Sequence, residues 1–228
     1  MDFHVDLDPA APTVRGSETF VLERDGGRRV MRIHDYDDVY AVPGLYEHVV
    51  SDRLGCVSPQ TLATSLAAEV TAAGEQPADV RCLDVGAGNG VSGAALRDAG
   101  LTPVVGLDVS PAAGAAAERD RPGLYAEFVV AALGDAAVPD LVTRHRLTAL
   151  VSAGALTGGH IEPQVLARTW AAFAPGGWLA YTCAEAHADD ARSIFAEHTD
   201  IRRDERFVHR RTVAGDPVWY RVLVGRRR

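Results

Sequence analysis

The residues best suited to chemistry in this 228-residue chain lie in one run, Leu83-Asp84-Val85-Gly86-Ala87-Gly88-Asn89-Gly90, between a short apolar stretch and a helical one. Glycine at alternate positions lets the backbone turn tightly and come close to a ligand, which a Cβ would obstruct. Such a run alone is equally an ordinary glycine-rich connection. A second residue adds to it. Asp108 ends the next apolar run, 22 positions after Gly86, where a carboxylate can accept hydrogen bonds from both hydroxyls of a ribose. Taken by itself, Asp108 reads as a residue at a helix N-terminus, since Ser110-Pro111 follows. Together the two point to a nucleoside ligand.

The elements that position these residues follow from periodicity. After Pro77, apolar runs at Val80 to Val85, Pro103 to Asp108, Glu127 to Val130, Leu147 to Ala153 and Trp178 to Cys183 alternate with helical stretches. The helical stretches are Val91 to Ala99, Pro111 to Arg119, Ala137 to Arg144, Pro163 to Phe173 and Ala188 to Glu197. This alternation predicts βαβ units and a parallel sheet with ligands at the carboxyl ends of its strands. Phe207 to Val213 and Val218 to Val224 predict a terminal antiparallel hairpin. Ahead of the core, Asp25-Gly26-Gly27 between two apolar-rich runs predicts a hairpin, and Val39 to Ala73 has helical spacing, with Ser58-Pro59 as a start signal.

Composition narrows the function. The net charge of −8 disfavours a nucleic-acid partner, and all 23 basic residues are arginine. Cys56, Cys82 and Cys183 are odd in number and far apart, which speaks against both a disulfide framework and a metal site and suits a reduced cytoplasmic setting. Residues Met1 to Pro12 are acidic with no apolar core of a signal peptide, and no stretch approaches the ~18 apolar residues of a membrane span. Arg202 to Arg211 and Arg226 to Arg228 read as solvated residues guarding sheet edges, with a patch for an acidic partner as the alternative.

Asp84 through Gly90, an acid followed by three glycines at alternate positions, resembles the first motif of class I S-adenosylmethionine-dependent methyltransferases, and Asp108 is similar to the acidic end of their second. The resemblance covers about Val80 to Tyr181. A dinucleotide site is the weaker reading, because Val91 stands where G-x-G-x-x-G needs its third glycine. The resemblance implies an α/β fold: a Rossmann-like three-layer sandwich, its seven-stranded sheet mostly parallel with a terminal antiparallel hairpin, plus a small N-terminal helical cap. Residues 1–76 would be the cap and 77–228 the cofactor-binding core.

The implied cofactor is S-adenosylmethionine, leaving as S-adenosylhomocysteine. Asp84 would orient its ammonium group, and Gly86, Ala87, Gly88, Asn89 and Gly90 would surround the methionine tail. Asp108, with Val109 and Ser110 beside it, would hold the ribose. Leu133, Gly134 and Asp135 would meet the adenine, with Asp135 replacing an acid missing at Ala132. Ala153 and Gly154 would flank the methyl group, in a sequence unlike the Asn-Pro-Pro-Tyr type seen in many enzymes that methylate base amines or glutamine amides. Tyr40 and Tyr46, with Tyr36, would close over the cofactor, where ring faces attract a sulfonium; equally they pack the cap against the sheet.

Methyl transfer from a sulfonium depends mainly on alignment, which can supply on the order of 7 to 11 kcal/mol. A hydroxyl acceptor also gains ~10²- to 10⁴-fold from a base. His160 is the first candidate, followed by His48 and His187, each of which could instead be a structural or surface histidine. The expectation is an enzyme that methylates a small metabolite on oxygen, with no partner nucleic acid or membrane. Its oligomeric state stays open, with a homodimer one option. A protein or RNA methyltransferase and a non-catalytic cofactor-binding module are the alternatives.

Overall fold

The computed structural model describes residues 2–8, 17–156 and 161–228. Five short apolar runs become parallel strands: β4 (Arg81–Val85), β5 (Thr102–Asp108), β6 (Glu127–Val130), β7 (Ala149–Ala153) and β8 (Trp178–Ala184). The sheet is completed by β9 (Thr199–Arg211) and β10 (Pro217–Arg227), which run antiparallel, in the order β6-β5-β4-β7-β8-β10-β9. Strand order reverses at β4, so the switch point at which such sheets bind ligands lies at the carboxyl ends of β4, β5 and β7.

Alternating side chains fill both faces of this sheet, which is why the parallel strands read as continuous apolar runs. Leu83, Leu150 and Leu179 join Val105, Leu107, Leu166, Trp170 and Phe195 on one face, where α6 (Pro163–Trp170) and α7 (Ala188–Ala196) pack. Their neighbours Cys82, Val151 and Ala180 meet Leu62, Leu66 and Val70 of α2 (Ser58–Ala72) and Leu96 of α3 (Val91–Asp98) on the other. The remaining crossovers carry α4 (Pro111–Asp120) and α5 (Val138–His145). Thus α2, within the segment expected as cap, forms part of a layer on the sheet.

The N-terminal sheet has three strands, β1 (Phe3–Asp6), β2 (Thr19–Arg24) and β3 (Gly27–Arg32). The expected hairpin is β2–β3, turning at Asp25 and Gly26, both at positive φ as a two-residue hairpin turn requires. The first strand goes beyond the sequence expectation: only four residues long, with His4 and Asp6 alternating with its apolar residues, it hides Val5 in a separate small core with Phe20, Met31 and Leu45. Helical spacing from Val39 to Ala73 resolves into α1 (Tyr36–Ala41), a π-helical segment Glu47–Arg53 and α2, broken near Pro43-Gly44 and Gly55. The final hairpin is also longer than predicted. Strand β9 begins at Thr199, eight residues before Phe207, because a mostly charged edge strand lacks the apolar alternation by which strands are read. Among the described residues, no helix is long and apolar enough to cross a membrane.

Candidate active site

Strand β4 ends at Val85, and the chain then turns through Gly86, Gly88 and Gly90, whose φ values are 72°, 53° and 87°. These are left-handed conformations that residues with a Cβ seldom adopt. The Gly86 and Ala87 N–H groups both donate to the Leu107 carbonyl, at 2.8 and 3.1 Å, which ties the turn to β5. A Cβ on Gly86 would lie 2.7 Å from that of Ala155, so the turn also abuts the loop after β7. Asp108, at the end of β5, accepts from the N–H of Gly88 at 2.9 Å and from that of Ser110 at 3.0 Å. The first two motifs therefore meet through one carboxylate at the mouth of the crevice.

Asp84 lies beneath the turn and is fully buried. Its Oδ2 accepts from Ser92 Oγ and from the Tyr125 hydroxyl, each at 2.6 Å, while its Oδ1 has no partner. Burial pushes this carboxyl up to about 6 against the pull of those two hydrogen bonds, and the charge of Asp108 adds to the rise. An orphaned buried acceptor is unusual, and here it suits a cationic or donating ligand group.

Beside Asp108, Val109 is 69% exposed, an apolar side chain open to a ring face. Leu133 is buried, and Gly134 and Asp135 are exposed in a turn that follows β6, with the Asp135 N–H donating to Ala132. Ala153 ends β7 and Gly154 follows it, its N–H donating to Thr182 Oγ1 at 2.8 Å.

The cap fastens onto the turn and onto the segment after β5 at three points. The Tyr40 hydroxyl lies 2.5 Å from where a Cβ on Gly88 would project. The Ser110 hydroxyl, which caps α4, donates to Asp37. Glu47 pairs with Arg121 at 2.8 Å and accepts from Asn89 Nδ2 at 2.9 Å. Tyr36 and Tyr40 are near-parallel with centroids 5.8 Å apart, and Tyr46 lies 5.1 Å from Tyr40, so the tyrosines pack the cap together and Tyr40 reaches the glycine turn. Burial pushes the Tyr36 hydroxyl up to about 12 and those of Tyr40 and Tyr46 well above the usual tyrosine value, keeping all three protonated.

The three histidines expected as bases are placed differently. His48 packs edge-on against Phe3 and lies 3.8 Å from Asp52, on the side of the N-terminal sheet. His187 is exposed at the start of α7. His160 lies outside the described residues.

A histidine that sequence reasoning passed over, His209 of β9, is buried instead: its ring stacks on Tyr220 at 3.9 Å and its Nδ1 lies 2.6 Å from Ser58 Oγ. Its neighbour Arg210, read from the sequence as solvated, is buried in an ion pair with Glu18. Most of the other arginines in that run are surface residues paired with acids, as Arg203 is with Glu69 and Glu205. No sequence signal marked His209, because its inward direction comes from a strand irregularity.

No protein-family model and no curated protein matches the chain. Solved structures do. The chain is similar to 1,6-didemethyltoxoflavin-N1-methyltransferase of Burkholderia thailandensis, determined with bound 1,6-didemethyltoxoflavin and S-adenosylhomocysteine, at 18% identity and a TM-score of 0.56 over 96% of this chain and 99% of that one. A TehB-like methyltransferase of Corynebacterium glutamicum matches at 17% identity and 0.56, over 85% and 98%. Magnesium protoporphyrin IX methyltransferase of Synechocystis PCC 6803, with bound S-adenosylmethionine, matches at 19% identity and 0.53, over 75% and 81%. The strand order and these likenesses agree on one architecture: the chain has the Rossmann-like fold of the class I S-adenosylmethionine-dependent methyltransferases.

Proposed function

We propose that this protein is a cytoplasmic S-adenosylmethionine-dependent methyltransferase that methylates a small metabolite on oxygen. The observation that carries the reading is the Asp108 carboxylate held between the Gly88 and Ser110 N–H groups at the carboxyl end of the sheet. Two backbone donors fix its direction and leave further lone pairs for ribose hydroxyls.

When bound, S-adenosylmethionine supplies a methyl group on a carbon already activated by its sulfonium. Every other task belongs to the chain. The turn from Gly86 to Gly90 admits the methionine tail, and the partnerless Oδ1 of Asp84 answers its ammonium. Val109, with Leu133, gives the adenine apolar contact, and Asp135 stands within the same loop cluster for its amino group. Tyr40 and Tyr46 close the cap over the site and exclude water, which strengthens the electrostatic contacts inside it.

Two observations favour a small acceptor. The arginines that flank the crevice are engaged by acids, Arg119 with Asp120, Arg121 with Glu47 and Arg210 with Glu18, so they make no open basic groove for RNA. The Burkholderia neighbour, similar over nearly its whole length, is named for methylating 1,6-didemethyltoxoflavin at N1, a compound and not a macromolecule. Incubation of the protein with methyl-labelled S-adenosylmethionine and fractionated cell extract tests the reading. Label in the low-molecular-weight fraction is expected. Label confined to protein or RNA would favour a macromolecular substrate, and cofactor binding without any transfer would favour a non-catalytic module.

A further inference from the structure

Tyr125 belongs to neither cofactor motif, yet its side chain reaches the point where they meet. It lies in the turn that leads into β6 and is partly buried. Three glycines from three elements make room for its ring. A Cβ on Gly93, inside α3, would lie 2.3 Å from the hydroxyl oxygen and 2.6 Å from Cζ. One on Gly106, inside β5, would lie 2.9 Å from Cε2, and one on Gly90 of the cofactor turn 3.6 Å from the same carbon. Glycine weakens the interior of a helix or a strand, and it is placed there where another group must come close. At Gly93 that group is the phenol of Tyr125, and at Gly106 it is the phenol together with Phe128, whose ring it meets edge-on at 5.8 Å.

The hydroxyl delivered in this way donates to Oδ2 of Asp84 at 2.6 Å, and Ser92 Oγ donates to the same oxygen at the same distance. Both donors therefore crowd one oxygen of a fully buried carboxyl, while Oδ1 has no partner. A site built only to satisfy Asp84 would serve both oxygens. This one fixes the carboxyl through one oxygen and reserves the other for a ligand. Burial, and then the charge of Asp84, push the Tyr125 hydroxyl well above the usual tyrosine value, so it stays a donor wherever Asp84 titrates.

We propose that Tyr125 is a positioning residue for the methionine end of the cofactor: acting through Asp84, its hydroxyl presents Oδ1 to the ammonium group. This rests on the methyltransferase reading. A carboxylate attracts an ammonium, whereas the protonated acid carries no charge with which to do so, and the grip on the cofactor therefore depends on one proton. Burial brings the Asp84 carboxyl up to about 6, Asp108 adds to the rise, and the hydrogen bonds from Ser92 and Tyr125 oppose it. The Cys82 thiol on the same strand is itself pushed up by burial and stays neutral. Binding accordingly tightens as pH rises through about 6, and loss of the Tyr125 donor moves that step to higher pH.

Calorimetry with two probes, from about pH 5 to 8, brackets the step. S-adenosylhomocysteine carries the ammonium, and methylthioadenosine carries the same nucleoside without it, so the second probe reports only the Asp108 side of the site. In the full chain S-adenosylhomocysteine is expected to bind more tightly as pH rises through about 6, and methylthioadenosine to change little. Tyr125→Phe keeps the ring and removes the hydroxyl. It should weaken S-adenosylhomocysteine ~10-fold or more near the step, with the gap closing at higher pH, as loss of a hydrogen bond to a charged group implies, and leave methylthioadenosine unchanged. Ser92→Ala, which removes the other donor without disturbing the ring, should move the step in the same direction, and Asp84→Asn should abolish it. Failure of both probes to bind the full chain would overturn the cofactor reading and this inference with it. Binding of both, with Tyr125→Phe weakening them equally or leaving the S-adenosylhomocysteine profile unmoved, would overturn the Tyr125 assignment alone.

Discussion

Two aspartates in the first two motifs do opposite work because their surroundings differ. Asp108 is half-buried and accepts two backbone donors, whereas Asp84 is sealed in and has one oxygen unserved. A carboxyl raised by burial from 3.8 to about 6 favours the folded state while protonated. Its contribution is complete below the unfolded value and is lost as pH rises through about 6. The shift is worth on the order of 3 kcal/mol. Thermal melts from pH 4 to 7 should show Asp84→Asn gaining on the wild type as pH rises, and parallel curves would refute the assignment. Gly88 makes a second claim at this scale. An alanine there would pay ~1–2 kcal/mol for its left-handed backbone and ~1–3 kcal/mol for meeting the Tyr40 hydroxyl. Gly88→Ala should lower the melting temperature, and adding Tyr40→Phe should recover only part, since the ring carbon remains 3.2 Å away.

At the scale of elements, the parallel core was legible because apolar runs and helical stretches alternate, and because Asp84, the glycines and Asp108 fall at strand ends where a doubly wound sheet binds ligands. The places that escaped reading have physical causes. Strand β9 starts in a charged run whose arginines are satisfied by ion pairs along an edge, so hydrophobic periodicity is silent there. The bulge at His209 depends on pairing with β10 across the terminal hairpin, which no local pattern announces. Of the histidines expected as bases, His160 lies outside the described residues, while His48 packs against Phe3 and His187 is exposed. The cap contacts through Asp37 and Glu47 join residues more than 40 positions apart and likewise have no sequence signature.

At the scale of the whole molecule, a buried ion pair links the outlying N-terminal sheet to the main sheet. Glu18 receives both terminal nitrogens of Arg210 and the N–H of Val213, and both side chains are almost wholly buried. Removing one member of such a pair leaves the other charged and unpaired, at a cost of ~3–5 kcal/mol. Urea unfolding of Glu18→Ala should show a loss of that size, and a loss below ~1 kcal/mol, typical of an exposed pair, would refute the anchoring role. That anchor holds the cap above the crevice in which the glycine turn and Asp108 meet.

Calorimetric titration of the wild type and of Asp108→Ala with S-adenosylhomocysteine tests that meeting point most directly. One site per chain is predicted, weakened ~10- to 100-fold or more in the variant, as loss of charge-assisted hydrogen bonds worth ~1.5–3 kcal/mol requires. A wild type that gives no binding heat at millimolar ligand, or a variant that binds equally well, would contradict the account.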